Sequence, residues 1–314
     1  MNPTEPLKEA EPSPHEAERP LGAPRPMLYL RKIVGAAYFG LLLLGFAPTL
    51  IALALHVAAS QLHSYILLIP FISAYLIYIQ WNKLPKSYAS SPIPGVVAAG
   101  VGLAVAISSW AGHWQSYLSE NDYLGVMTFS FLCLLVAGGF FFLGRKWMAA
   151  VAFPVAFLFF LIPMPDAMVD ALENASKLGS TQTANWFFAI SGVPYIRQGA
   201  VFLLPDITIQ VAQECSGIRS SWILLITSLV ASYLFLRTPW RRTALVAFVI
   251  PLGLLRNGFR ILVIGLMCVK WGPGMINSPV HTRGGPIFFV LSLFPLLLFL
   301  WWLRRSEQRK KPAE

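Results

Sequence analysis

A thiol, three guanidiniums, an amide and an imidazole are the side chains that could do chemistry in this strongly apolar chain. Cys215 lies in Ala212-Gln213-Glu214-Cys215-Ser216-Gly217-Ile218-Arg219, where a polar segment gives way to a long apolar run. A helix N-terminus lowers a thiol pKa, and Arg219 lies one turn on along the same helix face, so a thiolate is favoured there. A second apolar run contains Leu255-Arg256-Asn257-Gly258-Phe259-Arg260-Ile261. Arg256 and Arg260, four apart, share a face, and Asn257 neighbours Arg260 at the i+3 position. A cation near the middle of a bilayer costs about 3 kcal/mol or far more, so it faces a cavity or a partner. His281 follows in the loop Gly272 to Gly285, where Gly284 and Gly285 let the chain turn back. A thiolate to attack a carbonyl, a cation for the oxyanion and an imidazole for the leaving-group proton make the set that nucleophilic acyl transfer uses. Glu214, Ser216, Arg219, Arg256 and Asn257 complete it as supporting or substrate-binding residues.

Each of these residues also has a plainer reading. Buried cysteines mostly fill space, and Cys133 and Cys268 fit that description: one is mid-run among Phe131, Leu132 and Leu134, the other near a helix end whose dipole opposes a thiolate. A lone loop histidine is commonly solvated, and His56, His63 and His113 fall on the same side of the membrane as His281. Arginines can also sit in a membrane hydrogen-bonded to carbonyls for packing alone.

The elements that must position these residues are membrane helices. Of the 314 residues 56% are hydrophobic and only 12% charged, and the mean hydropathy is +0.62; soluble domains average about 25% charged. Eight runs reach or approach the roughly 20 apolar residues that cross a bilayer: Ile33–Val57, Ser64–Ile79, Pro94–Ala111, Tyr123–Leu143, Met148–Pro163, Gly217–Leu236, Thr243–Val269 and Pro286–Leu303. The second and fifth are short. The expected fold is an all-α polytopic membrane protein. Residues 1–26, rich in Pro, Glu and Ala, form a disordered cytoplasmic tail, residues 27–304 one membrane domain, and residues 305–314 a basic cytoplasmic tail. No signal peptide is evident, and the first apolar run reads as an uncleaved span.

The net charge of +10 is explained by placement. Lys8, Arg19, Arg25, Arg31 and Lys32, then Lys83, Lys86, Arg145, Lys146, Arg237, Arg241 and Arg242, then Arg304 to Lys311 all fall on one side, against Lys177, Arg197, Lys270 and Arg283 on the other. This is the positive-inside pattern and excludes a nucleic-acid reading. It puts both termini in the cytoplasm and Cys215 and His281 on the extracytoplasmic side. Three scattered cysteines exclude a disulfide framework and a metal cluster, and no cofactor is expected.

The long outer loop before the sixth span reads as two pieces. Asp166 to Ser191 has the spacing of an amphipathic helix lying on the membrane surface, with Trp186-Phe187-Phe188 at headgroup level. Val193 to Val211 contains the alternating run Ile207-Thr208-Ile209-Gln210-Val211 after the turn signal Leu204-Pro205-Asp206, which predicts a short β-hairpin feeding into Cys215. No span interior carries Asp or Glu. The embedded arginines must therefore be balanced by water, carbonyls, the thiolate or an anionic group of a substrate.

These residues resemble the exosortase and archaeosortase family: Ala212-x-x-Cys215-Ser216-Gly217-Ile218-Arg219, Asn257-x-x-Arg260-Ile261, and His281 with Gly285 following. Similarity extends over most of the membrane portion, including Gly192-Val193-Pro194, Arg197-x-Gly199 and Leu204-Pro205, but not the N-terminal tail. The resemblance implies a membrane-embedded cysteine protease or transpeptidase of a prokaryotic inner membrane. It would act on exported proteins that bear a C-terminal sorting segment, a short motif such as Pro-Glu-Pro followed by a transmembrane helix and a basic tail. By resemblance Cys215 is the nucleophile, Arg260 the oxyanion or substrate-orienting residue and His281 the acid/base. The implied partners are those proteins, a cell-surface or polysaccharide acceptor, and membrane lipid. Two other classes fit some of the features: a transporter or flippase that binds an anionic lipid or metabolite on the arginines, and a structural subunit of a polysaccharide-export complex.

Overall fold

A computed structural model describes residues 25–60, 62–85, 89–205, 207–211, 217–278 and 284–309. The N-terminal tail through residue 24 lies outside the described residues, and the first helix starts at Arg25. Among the described residues, six helices are long and apolar enough to cross a membrane. They are α1 (Arg25–Ala59), α3 (Pro92–Ala111), α4 (Glu120–Gly138, prolonged by a π turn to Leu143), α8 (Ile218–Phe235), α9 (Pro239–Trp271) and α10 (Gly285–Arg309). The chain is an all-α polytopic membrane protein.

The two short runs depart from the expected count of eight. The second is a 3-10 turn, Ser64–Leu68, leading into α2 (Ile69–Ile79), too short to cross the hydrocarbon core as a straight helix. The fifth is α5 (Arg145–Ala150), α6 (Ala152–Phe157) and a 3-10 turn to Leu161, followed by a 92° bend into α7 (Asp166–Ser191). Pro163 and Pro165 cause the bend. The residue before a proline is driven from the helical region, and Ile162 has ψ 119°. Counting this bent pair as one span gives seven.

Two helical groups result. In the first, α1, α3 and α4 pack closely because small and hydroxyl side chains let the backbones approach: Ser130 Oγ donates to the Gly102 carbonyl at 2.8 Å and Tyr38 to the Leu134 carbonyl at 2.8 Å. In the second, α8, α9 and α10 share a core of Leu224, Leu245, Val249, Leu252, Leu296 and Leu300. The short helices α2 and α6 join the groups. Ser73 Oγ donates to the Pro154 carbonyl, Phe157 and Ile66 pack with Leu124 of α4 and Ile226 of α8, and Phe153 stacks on Tyr233 at 3.9 Å.

The expected hairpin is an antiparallel meander of three strands, β1 (Ile196–Gln198), β2 (Val201–Leu204) and β3 (Ile207–Gln210), with Phe202 opposite both Arg197 and Ile209. Its inner face, Phe202, Leu204 and Ile209, closes a core with Ala184 and Phe188 of α7 and Ile261 of α9. Phe188, expected at headgroup level, is 0% exposed for this reason. Helix α7 has the expected bounds, and its second half is held against α9 rather than resting only on a surface. Thr183 Oγ1 donates to the Leu254 carbonyl at 2.9 Å, and Gly258 and Gly265 of α9 leave room for Thr183 and Phe188.

Candidate active site at the start of α8

Helix α8 begins in an unusual way. Gly217, its N-cap, is left-handed (φ 71°), and no side chain of the cap closes the first turn. That conformation is open to glycine at little cost and strained for any other common residue. Space makes the requirement stricter: a Cβ there would meet Asn257 Oδ1 at 2.9 Å and Arg256 Nη2 at 3.2 Å. The glycine lets the start of α8 sit directly on α9.

Two α9 residues receive it. Arg256 is 8% exposed and Asn257 2%. Arg256 Nη2 donates to the Gly217 carbonyl at 2.9 Å and to Ser221 Oγ at 3.0 Å, while Ser221 Oγ donates to the same carbonyl at 3.1 Å. The Ser221 backbone N–H also closes on that carbonyl at 3.1 Å. With Ser220 Oγ at 3.4 Å, four donors converge on this one peptide oxygen. Gly253 of α9 leaves the space that Ser221 occupies. Arg256 Nη1 is buried and makes no hydrogen bond among the described residues. The charge of Arg256 is met by a carbonyl, one of the partners anticipated for it, and by a hydroxyl, which was not.

Arg260, one turn further along α9, is half-buried, and Arg219 on the first turn of α8 is exposed. Cys215, with Glu214 and Ser216, and His281 lie outside the described residues. The described ends of those two segments flank one stretch of α9. Gly217 rests on Arg256 and Asn257. Helix α10 runs antiparallel to α9, with Phe299 against Phe248 and Phe288 against Phe259 at ring separations of 4.6 Å and 6.3 Å. Gly284, whose carbonyl accepts from Phe288 N–H, therefore starts α10 about one turn beyond Phe259. Ser278, at the other end of the His281 segment, is buried after the 3-10 turn Pro273–Asn277 that follows α9.

The transmembrane exosortase family model (Exosortase_EpsH) matches residues 56–300. The chain belongs to the transmembrane exosortase family. The match takes in α2 to α9, the sheet, both segments outside the described residues and most of α10, and leaves out most of α1. No curated protein and no solved structure matches the chain. This exosortase-family chain is accordingly a multi-pass membrane protein of a sorting-enzyme family.

Gly217 and Ser221 are the residues that sequence reasoning did not assign to the site. Glycine just before a long apolar run is a visible signal, since it permits a left-handed entry to the helix. The hydroxyl of Ser221 carries none, because its partners are a carbonyl one turn back and an arginine in another span.

Proposed function

We propose that this chain is a membrane cysteine transpeptidase or protease that cleaves a C-terminal sorting segment, with Cys215 as nucleophile, Arg260 as oxyanion donor and His281 as acid/base. The observation that carries the reading is the seat of Gly217 on Arg256 and Asn257. Two residues of chain reach at most about 7 Å, which ties Cys215 to within that distance of Gly217, itself seated on Arg256 and Asn257 one turn from Arg260. His281, three residues from Gly284, is tethered within about 11 Å of the start of α10, which lies about one turn beyond Phe259 along α9.

The chemistry then follows from the residue types. His281 takes the Cys215 thiol proton, and the thiolate attacks the scissile carbonyl carbon. Arg260 holds the negative oxygen of the tetrahedral intermediate. As the C–N bond breaks, His281 returns the proton to the leaving amine, and the released piece carries the transmembrane helix and its basic tail. A thioester on Cys215 remains. Water, an amine or a hydroxyl attacks it, the C–S bond breaks and the thiol is restored, giving hydrolysis or transfer to a cell-surface or polysaccharide acceptor. The N-terminus of α8, with Arg219 on its first turn and Arg256 against its N-cap, favours the thiolate over the thiol.

The cation asymmetry supports an N-in, C-in topology in an inner membrane, with the active site on the extracytoplasmic side and the substrate's helix entering laterally. An anion transporter would need its arginines open to a translocation path, whereas Arg256 is buried with Nη2 committed to the start of α8. The test is processing of an exported protein bearing a sorting segment in cells that express Cys215→Ala, with Cys133→Ala and Cys268→Ala as controls. The substrate remains full-length in the first and is processed normally in the other two; normal processing by Cys215→Ala would rule out the cysteine mechanism.

A further inference from the structure

We propose that the arginine-rich end of the α8–α9–α10 group holds the phosphodiester headgroup of an anionic lipid. A cavity of about 700 Å³ opens there between the last turn of α8, the first turn of α9 and the end of α10. Arg237, Arg241, Arg242 and Arg304 line it, with one carboxylate, Glu307.

That carboxylate is already committed. Glu307 Oε1 accepts from the Thr238 backbone N–H at 2.7 Å and from the Thr238 hydroxyl, and it pairs with Arg241 Nη1 at 3.4 Å. Oε2 accepts from the Arg237 backbone N–H at 3.1 Å. Glu307 therefore caps the start of α9 and neutralises the buried Arg241. Arg242 is tied back by Nε to the Leu236 carbonyl and lies over the Tyr233 ring at 5.3 Å. Arg304 lies over the Phe235 ring at 5.7 Å. The guanidiniums of Arg237 and Arg304 are exposed and make no hydrogen bond among the described residues. The cavity thus keeps a surplus of positive charge with two forked donors available, which suits a phosphate.

The remaining wall identifies a lipid rather than a soluble phosphate. Phe235 and Trp240, the latter 69% exposed, line the same cavity. They stand where three apolar helices end, the level at which aromatic side chains meet lipid headgroups. One ligand that satisfies both walls is an amphiphile with an anionic head. The basic tail of a sorting signal would be repelled.

The purified full-length protein is exchanged into nanodiscs of phosphatidylcholine doped with phosphatidylglycerol, and retained lipids are counted by native mass spectrometry. Wild type retains phosphatidylglycerol over phosphatidylcholine by about tenfold beyond the bulk ratio, the order of enrichment that two arginines beside an anionic headgroup give. The Arg237→Gln/Arg304→Gln variant brings the ratio down to that of the bulk, whereas Arg197→Gln, on β1, leaves it unchanged. Equal retention of both lipids, or an equal fall in the Arg197→Gln control, overturns the proposal. Inorganic phosphate is added in a separate arm. Displacement of phosphatidylglycerol by phosphate alone at millimolar concentration would show a soluble-anion site and overturn the lipid assignment.

Discussion

Helices α4 and α9 bury the same share of their most apolar stretch, 50% each, yet they use the buried face differently. On α4 it is filled by Leu132, Cys133, Leu134 and small hydroxyls such as Thr128 and Ser130, with Ser130 bonded to a carbonyl of α3. On α9 it includes Arg256 and Asn257. Since α4 reaches the same burial without charge, packing alone does not call for an arginine on α9. The cation on α9 holds the turn that begins α8, and this is where the two groups part: the buried face of α4 is filled for shape alone, whereas that of α9 also fixes the segment next to the proposed nucleophile.

The largest effect that sharpens this contrast is expected on α9 itself. Arg260→Ala should slow substrate processing by about 100- to 1000-fold, the usual loss for one oxyanion donor, while Thr128→Ala on α4 leaves the rate unchanged at equal protein level. A comparable fall in both would mean that Arg260 acts only through the fold. Next comes Gly217→Ala, which places a Cβ between Asn257 and Arg256. Processing should drop by about 100-fold, as expected for a reacting group displaced by about 1 Å, with the helical content by circular dichroism retained.

Arg256→Met is expected to be milder on stability than on rate. It leaves the Gly217 carbonyl with its Ser221 bonds but without its cation, a loss of about 1–3 kcal/mol, read as a lower thermal midpoint together with slower processing. A positioning role also predicts that reversing the charge of the substrate motif is not rescued by Arg256→Glu; rescue would make Arg256 a substrate-binding residue instead. The smallest effect is Ser130→Ala, about 1 kcal/mol of stability with no change in processing.

Much of the second group was legible because its signals are local. The extent of α7, packed on that group, followed from the amphipathic spacing between Asp166 and Ser191, and the arginines of α9 stand out in any apolar run. The second and fifth spans misled because an apolar run records burial and not straightness. Sixteen residues from Ser64 to Ile79 are apolar enough but short, and Pro163 with Pro165 turns the fifth run by 92°. Strand β1 has only three residues, too few to show alternation. The seat of Gly217 is set by Asn257, forty residues away in the chain, and no pattern around the glycine encodes it.

The proposed function stands or falls on acylation of Cys215 by the substrate. The direct measurement is intact and peptide mass spectrometry of the protein quenched in acid during turnover of a sorting-signal substrate. A substrate-derived mass is expected on the peptide containing Cys215, removed by hydroxylamine and missing from Cys215→Ala. Turnover with no adduct at Cys215, together with full processing by Cys215→Ala, would contradict it.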